Sequence, residues 1–429
     1  MHNKRLPLRV ILVISTFLLT VLLYIDRACI SAAKEEISSD LNFDLTDFGW
    51  VMAMFTLGYA LFQTPAGRWA DRRGPRHVIA AIVSVWSLLT ALTGAAWNYL
   101  SMLVIRFLFG AGEAGAFPGL ARVVYNWFPV KERGMVQGIN FSGSRIGAAF
   151  ALPLVAFIIG SVGWRMTFLI FGAAGLLFAA LWYWLFRNDP VESKAISEKE
   201  KAYILTNREK PSDGGTKGLA FGTILSSRNM WLAMLQYMAS NFTFYFTLTW
   251  MYPYLKDRFE LGGVEAGLYA MIPLIAGALG NWASGFWVDR LYKKRHLTIS
   301  RRLPAITGFV LAALGMLVMA GIDTPQVAIL FLALAIFGAD MTLSPSWTFC
   351  IDIGRENAGA VSGTMNMAGN LGAFVTIIAF PYLYEWTGSF QPFFYVCVVL
   401  SAIAILLWLQ MDPHTTVMKG TAGSPSDTN

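Results

Sequence analysis

Long apolar runs broken by short clusters of charge make up most of this 429-residue chain, and each run has the length that a bilayer demands of a spanning helix. Runs and breakers predict helices near 8–33, 47–68, 77–97, 100–127, 135–160 and 165–187. Six more are predicted near 229–256, 264–288, 303–321, 325–350, 358–383 and 389–411. The expected fold class is all-α and integral to a membrane, with twelve transmembrane helices in two pseudo-symmetric six-helix lobes, residues 1–187 and 229–411. Charged residues are only 14 % of the chain, against roughly 25 % in soluble proteins. A soluble enzyme is thereby excluded, and twelve spans leave no room for a large domain outside the bilayer.

Between the lobes, residues 188–228 hold seven Lys/Arg, six Asp/Glu and the breaker run Pro211-Ser212-Asp213-Gly214-Gly215, and read as a cytoplasmic linker. Residues 412–429, polar and small from Thr415 onward, read as a disordered cytoplasmic tail. Thirteen Lys/Arg fall in loops around 66–77, 131–133, 290–302 and 355, whereas the opposite loops hold Lys34, Arg165, Lys256 and Arg258. By the positive-inside rule both termini face the cytoplasm, and the expected location is a bacterial inner membrane. Lys4, Arg5 and Arg9 before the first apolar run imitate a secretory signal, but cleavage after Ser31-Ala32-Ala33 would invert the charge pattern, so the segment reads as a retained span. The net charge of +7 is explained by this topology rather than by nucleic acid.

Several chemistries find no support. Cys29, Cys350 and Cys397 lack disulfide or zinc spacing, and His2, His77, His296 and His414 fall at termini or in basic loops, which leaves no imidazole relay inside the membrane. Gly110-Ala111-Gly112-Glu113-Ala114-Gly115 fits G-x-G-x-x-G, but no strand precedes it, so its small residues are read as helix-packing positions. With no Walker motif, nucleophile elbow or metal-ligand cluster, no cofactor is expected and ATP is not the energy source.

The second span ends in Gly67-Arg68-Trp69-Ala70-Asp71-Arg72-Arg73-Gly74 and the eighth in Gly285-Phe286-Trp287-Val288-Asp289-Arg290, with the two aspartates 218 positions apart. A duplication of six helices produces that spacing. Charges inside spans carry the most information, because each costs about 2.5 to 3.5 kcal/mol at the bilayer centre. The first lobe has Asp26, Arg27, Arg106, Glu113 and Arg145, three positive and two negative, which leaves one guanidinium for an anionic substrate. The second lobe has almost no mid-span ionisable group, so charge chemistry is expected in the first lobe alone. Asp26 and Arg27, about 100° apart on their helix, cannot both face a central cavity. Arg27 is expected to face substrate, Asp26 to network with Arg106, and Glu113 to meet Arg27 or substrate-linked water. Arg145 is read either as a second anion clamp or as a partner of Glu113.

These motifs resemble the major facilitator superfamily over the whole chain. Within it, Tyr24-Ile25-Asp26-Arg27, the run from Arg106 to Gly115, and Trp127-Phe128-Pro129 with Glu132-Arg133 resemble the anion:cation symporter family, which includes bacterial sugar-acid and aromatic-acid carriers and animal vesicular glutamate carriers. The resemblance implies that Arg27 holds the substrate carboxylate and that Asp26 and Glu113 take up the coupling proton. Tyr59 stands where some relatives carry a histidine, and a phenol does not titrate near neutral pH. In the second lobe Asn241, Tyr245 and Thr249 follow a four-residue spacing beside Trp250, Ser344, Ser346 and Trp347 lie in span ten, and Asn366 and Asn370 in span eleven. They read as hydroxyl ligands and an aromatic wall for a polyol chain. Gly67, Asp71, Arg72, Asp289 and Arg290 are expected to gate the lobes, with Arg76, Arg122, Glu132 and Arg133 nearby. The expected activity is proton-coupled import of small organic anions by a monomer in the lipid bilayer. Hexuronates, aldonates or aldarates lead as substrates, ahead of aromatic or short dicarboxylic acids, and uncoupled exchange is the alternative mechanism.

Overall fold

A computed structural model describes residues 7–208, 219–261, 263–294 and 296–418. Span 1 is Leu8–Ala32, span 2 Leu45–Arg73, span 3 Pro75–Thr93, and span 4 the two segments Tyr99–Glu113 and Ala116–Trp127. Spans 5 and 6 share Arg133–Leu185 and part at Gly163, whose φ of 79° and ψ of 162° reverse the chain. Span 7 is Arg228–Thr249 with Met251–Phe259, span 8 Gly263–Lys293 and span 9 Leu297–Met319. Span 10 is Pro325–Met341 with Leu343–Gly354, span 11 Ala358–Thr387 and span 12 Gln391–Gln410. The fold is therefore all-helical, with twelve spans in two lobes.

Local chemistry sets the helix ends. Asp44 and Asp47 form a capping box that starts span 2, and Asn98 and Ser101 form another at span 4. Pro75 opens span 3 after Gly74, which takes a φ of 81° that other residues resist. Val10, Ile14 and Leu18, four apart, are exposed on span 1, as a lipid-facing stripe requires. Trp97, Trp184 and Trp386 are exposed near helix ends, at the depth where indoles meet headgroups. Among the described residues, the helical stretches that are long and apolar enough to cross a membrane leave out spans 2, 5 and 7. Spans 2 and 5 pack against the opposite lobe, and span 7 lends its polar face to the interior.

The linker gains an element, and the expectation for the tail needs correction. The linker carries a helix, Glu198–Asn207, whose Glu200 carboxylate accepts from the N–H groups of Leu8 (3.0 Å) and Arg9 (2.9 Å) and so caps span 1. Arg9 also pairs with Glu132 at 2.6 Å, and Ile204 is fully buried. The run Pro211 to Gly215 lies outside the described residues. Residues 412–418 of the tail are not disordered. Val417 is buried and donates its N–H to Ile353 O at 3.1 Å, while Asn229 donates to Thr415 O at 3.0 Å. The Thr415 hydroxyl, donating to Asp412 at 2.7 Å, holds that carboxyl below the usual carboxylate range. Residues 1–6 and 419–429 lie outside the described residues.

Candidate functional site

On the side that carries the basic loops, each lobe holds the start of a helix from the other. Asp71, at the end of span 2, accepts from the N–H groups of Gly359 (2.9 Å) and Ala360 (2.7 Å) in the first turn of span 11. Asp289, at the end of span 8, accepts from Gly134 (2.9 Å) and Met135 (2.8 Å) in the first turn of span 5. Each carboxylate satisfies two orphan donors and sits at the positive end of a helix dipole. Close approach makes this possible: a Cβ at Gly67 would stand 2.2 Å from Gly359 O. The cations of this interface are Arg122, which donates to Glu356 O, and Arg133 and Arg301, which share Asp352 at 3.3 and 2.8 Å. Arg72 and Arg290, expected in the gate, are exposed beside it instead, where a cation serves as a positive-side anchor.

A double Asp71→Asn/Asp289→Asn variant loses both charges and, because an amide has one accepting oxygen where a carboxylate has two, leaves one N–H unpaired at each clamp. The dipole contribution of about 0.3 to 1 kcal/mol at each alone predicts roughly tenfold more frequent opening on this side, and the lost hydrogen bonds act in the same direction. A Thr64→Cys reporter, at the buried Thr64 to Thr364 contact of 3.2 Å, is expected to alkylate faster by at least that factor. Unchanged labelling contradicts a gating role.

Above this closure lies a polar cavity bordered by both lobes. Span 1 sends Tyr24 and Arg27 into it, while Asp26, one residue and about 100° away, is buried in the direction of span 4. Arg27 donates Nε to Glu113 Oε1 at 2.6 Å, with Nη2 at 2.5 Å from the same oxygen. Its guanidinium also lies over the rings of Tyr59 (4.5 Å), Tyr24 (4.9 Å) and Phe55 (5.1 Å). Glu113 ends the first segment of span 4, where the helix is interrupted before Ala116.

The expected Asp26 to Arg106 network takes a looser form. The two groups interact electrostatically, but no hydrogen bond joins them and both Asp26 oxygens are buried without a hydrogen-bond partner. Arg106 rests instead over Phe109 (4.6 Å) and Phe55 (5.2 Å). The indole N–H of Trp86 acts on Asp26 from outside hydrogen-bond geometry.

Arg145 overturns a larger expectation. Its partner is not Glu113 but Asp340 of span 10, through Nε to Oδ2 and Nη2 to Oδ1, both at 2.6 Å. Asp340 is fully buried and was missed because one carboxylate in so apolar a span leaves the mean pattern unchanged. Ionisable chemistry therefore spans both lobes. Among the described residues the mid-span set now has three arginines and three carboxylates, so its charges balance.

The cavity brings together Arg27, Tyr59, Arg145, Asn241, Tyr245, Trp347, Asn366 and Asn370. Tyr245 donates to Asn370 Oδ1 at 3.2 Å, which orients the amide. Four other expected ligands lie elsewhere. Thr249 is an exposed turn beyond Tyr245 and donates to its carbonyl at 2.5 Å. Trp250, just past the break in span 7, donates to Ile377 O at 3.2 Å and stacks on Phe380. Ser344 crosses the lobe interface to Gly134 O at 2.7 Å, and Ser346, about 100° round the helix from Trp347, donates to Thr342 O at 2.6 Å. Sequence reasoning also missed an aromatic floor. Phe117 stacks on Phe141 with centroids 5.2 Å apart, Trp347 tilts against both, and Tyr237 accepts from the Trp347 indole at 3.0 Å. Aromatic side chains in a span normally read as packing, so only their shared depth identifies them.

Two lobes clamped on one side, with a central cavity of paired arginines, amides and phenols, define a secondary transporter rather than an enzyme. The Major Facilitator Superfamily model matches residues 16–377, and the chain belongs to that superfamily. It is 30 % identical over 395 residues to the probable sulfoacetate transporter SauU of Cupriavidus necator, covering 92 % of this chain and 91 % of that protein. It is 31 % identical over 422 residues to the probable galactarate/D-glucarate transporter GudP of Bacillus subtilis, covering 94 % and 92 %. Among solved structures, the proton:xylose symporter XylE bound to 6-bromo-6-deoxy-D-glucose superposes with a TM-score of 0.74 at 16 % identity, covering 95 % of this chain and 98 % of that one. That likeness speaks for the fold.

Proposed function

We propose that the protein imports small organic anions together with protons, sugar acids foremost, by alternating access across a bacterial inner membrane with both termini in the cytoplasm. Arg27, which lines the cavity, and the buried Glu113 that it holds carry this reading. Arg27 already holds Glu113 through Nε and Nη2, so a substrate carboxylate that takes this edge of the guanidinium displaces Glu113. A displaced carboxylate in a buried, low-dielectric site is costly as an anion. Taking a proton removes that cost, so anion and proton enter together and leave together on the other side. Asp26, buried without a hydrogen-bond partner beside Glu113, is a second group suited to holding a proton. Arg106 keeps the local charge in balance.

The amides of Asn241, Asn366 and Asn370 and the phenols of Tyr237 and Tyr245 offer donors and acceptors for a polyol chain. The substrates named for the relatives, galactarate, D-glucarate and sulfoacetate, are small acids of matching character. The aromatic floor supports a second reading, an aromatic acid lying on Phe117 and Phe141. Rocking of the lobes requires the Asp71 and Asp289 clamps to break, which opens the cytoplasmic side.

Proteoliposomes with an inward proton gradient test this. Labelled aldonates, aldarates and hexuronates are expected to accumulate above the outside concentration, and a protonophore is expected to reduce them to equilibration. Accumulation of neutral hexoses, or of acids regardless of the proton gradient, contradicts the proposal. Preference for benzoate-like acids selects the second reading.

A further inference from the structure

Arg145 borders the same cavity as Arg27, yet nothing in the reading above uses it. It is held by the two-point fork that a guanidinium makes with any planar or tetrahedral oxyanion. The pair joins the lobes, since Arg145 is on span 5 and Asp340 on span 10, and both side chains are buried. Burial of such a pair adds little stability over apolar residues of the same size, because desolvation offsets the attraction. What the pair offers, and apolar packing does not, is an arginine whose carboxylate another anion can replace.

The surroundings suit that exchange. The Phe244 ring lies 3.6 Å from Arg145 Cζ and covers one face of the guanidinium, which restricts approach to its edge. Tyr24 and Tyr245 act electrostatically on both Arg27 and Arg145, so the two guanidiniums flank the same phenols. Behind Asp340, Asn281 donates Nδ2 to Oδ2 at 3.3 Å, and its own Oδ1 is buried without a hydrogen-bond partner.

Resting on the reading in which Arg27 takes a substrate anion, we propose that Arg145 with Asp340 is a second anion-recognition site, which selects substrates bearing an acidic group at each end. The second carboxylate or sulfonate takes the fork on Arg145, and Asp340 is left with Asn281. The charged and titratable groups facing the pair are Tyr24 from span 1 and Tyr237 and Tyr245 from span 7, with Asn281 of span 8 the polar neighbour. As the ion pair bridges the lobes, its opening also ties the second anionic group to loosening of the lobe contact.

The test uses the full-length transporter in detergent and compares Kd for a six-carbon aldarate with Kd for the aldonate that differs only at one terminal group. Wild type is expected to prefer the aldarate about tenfold, the value of one charge-assisted contact. The double variant Arg145→Gln/Asp340→Asn removes both charges together, so neither is left unpaired. It is expected to bind the aldonate as wild type does and to lose the preference. Asp340→Asn alone frees Arg145 and is expected to tighten the aldarate while leaving the aldonate unchanged. Equal binding of the two acids by wild type, or a wild-type ratio in the double variant, overturns the second site. If aldonate binding nevertheless depends on Arg27, the reading of that arginine survives. If neither acid binds, or Arg27→Ala leaves aldonate binding intact, both proposals fall.

Discussion

Arg27→Ala is expected to abolish accumulation of sugar acids and to weaken their binding by roughly a hundredfold or more, the cost of about 3 kcal/mol found when one partner of a buried charge contact is removed. The loss has two parts. One is the fork to the incoming carboxylate. The other is the stranding of Glu113, which is fully buried and whose hydrogen-bond donor is Arg27. The second part also lowers stability, so melting temperature and affinity must be measured together. Adding Glu113→Gln removes the stranded charge and is expected to restore the melting temperature without restoring binding. A guanidinium that merely orients spans 1 and 4 predicts the opposite, with binding recovering as stability does. Arg27→Lys keeps the charge but not the planar fork over Tyr24, Phe55 and Tyr59, and is expected to recover only part of the affinity.

Glu113→Gln alone carries the other large effect. The amide leaves Arg27 without its resident anion, so substrate no longer has to displace one, and binding is expected to hold or tighten. The group that exchanges a proton with each bound anion is gone. Proteoliposomes loaded with substrate are expected to retain exchange at near wild-type rate, while accumulation driven by a proton gradient falls to equilibration. A Glu113→Gln variant that still concentrates substrate removes Glu113 from the coupling step and leaves Asp26 as the remaining candidate in the first lobe.

Much of the architecture was legible because bilayer thickness imposes length on every span and the Asp71 and Asp289 loops repeat. The pairing of Arg27 with Glu113 was legible as one of the alternatives, since the first lobe offers its mid-span arginines only two carboxylates, Asp26 and Glu113. Asp340 was not. Its partner lies 195 positions away in the other lobe, and helical spacing relates residues only within a helix. Thr249, Trp250, Ser344 and Ser346 failed for a related reason. Periodicity assigns a side of a helix, whereas the depth of the cavity and the rotation of each helix about its axis come from packing. At the gate, the aspartates were identified from their repeat, but their partners were backbone N–H groups of the opposite lobe, which no side-chain pattern reports. The linker helix carries only two buried positions, Glu200 and Ile204, among many charges, and composition alone hid it.

With the charges balanced, an anion that takes the edge of Arg27 held by Glu113 displaces that carboxylate, and Glu113 then takes a proton. Titration calorimetry of an aldonate in two buffers of different ionisation enthalpy counts the protons taken up on binding, without any transport. The account predicts close to one proton per bound anion for wild type and close to none for Glu113→Gln. Tight, Arg27-dependent binding with no proton uptake by the wild-type protein would contradict it.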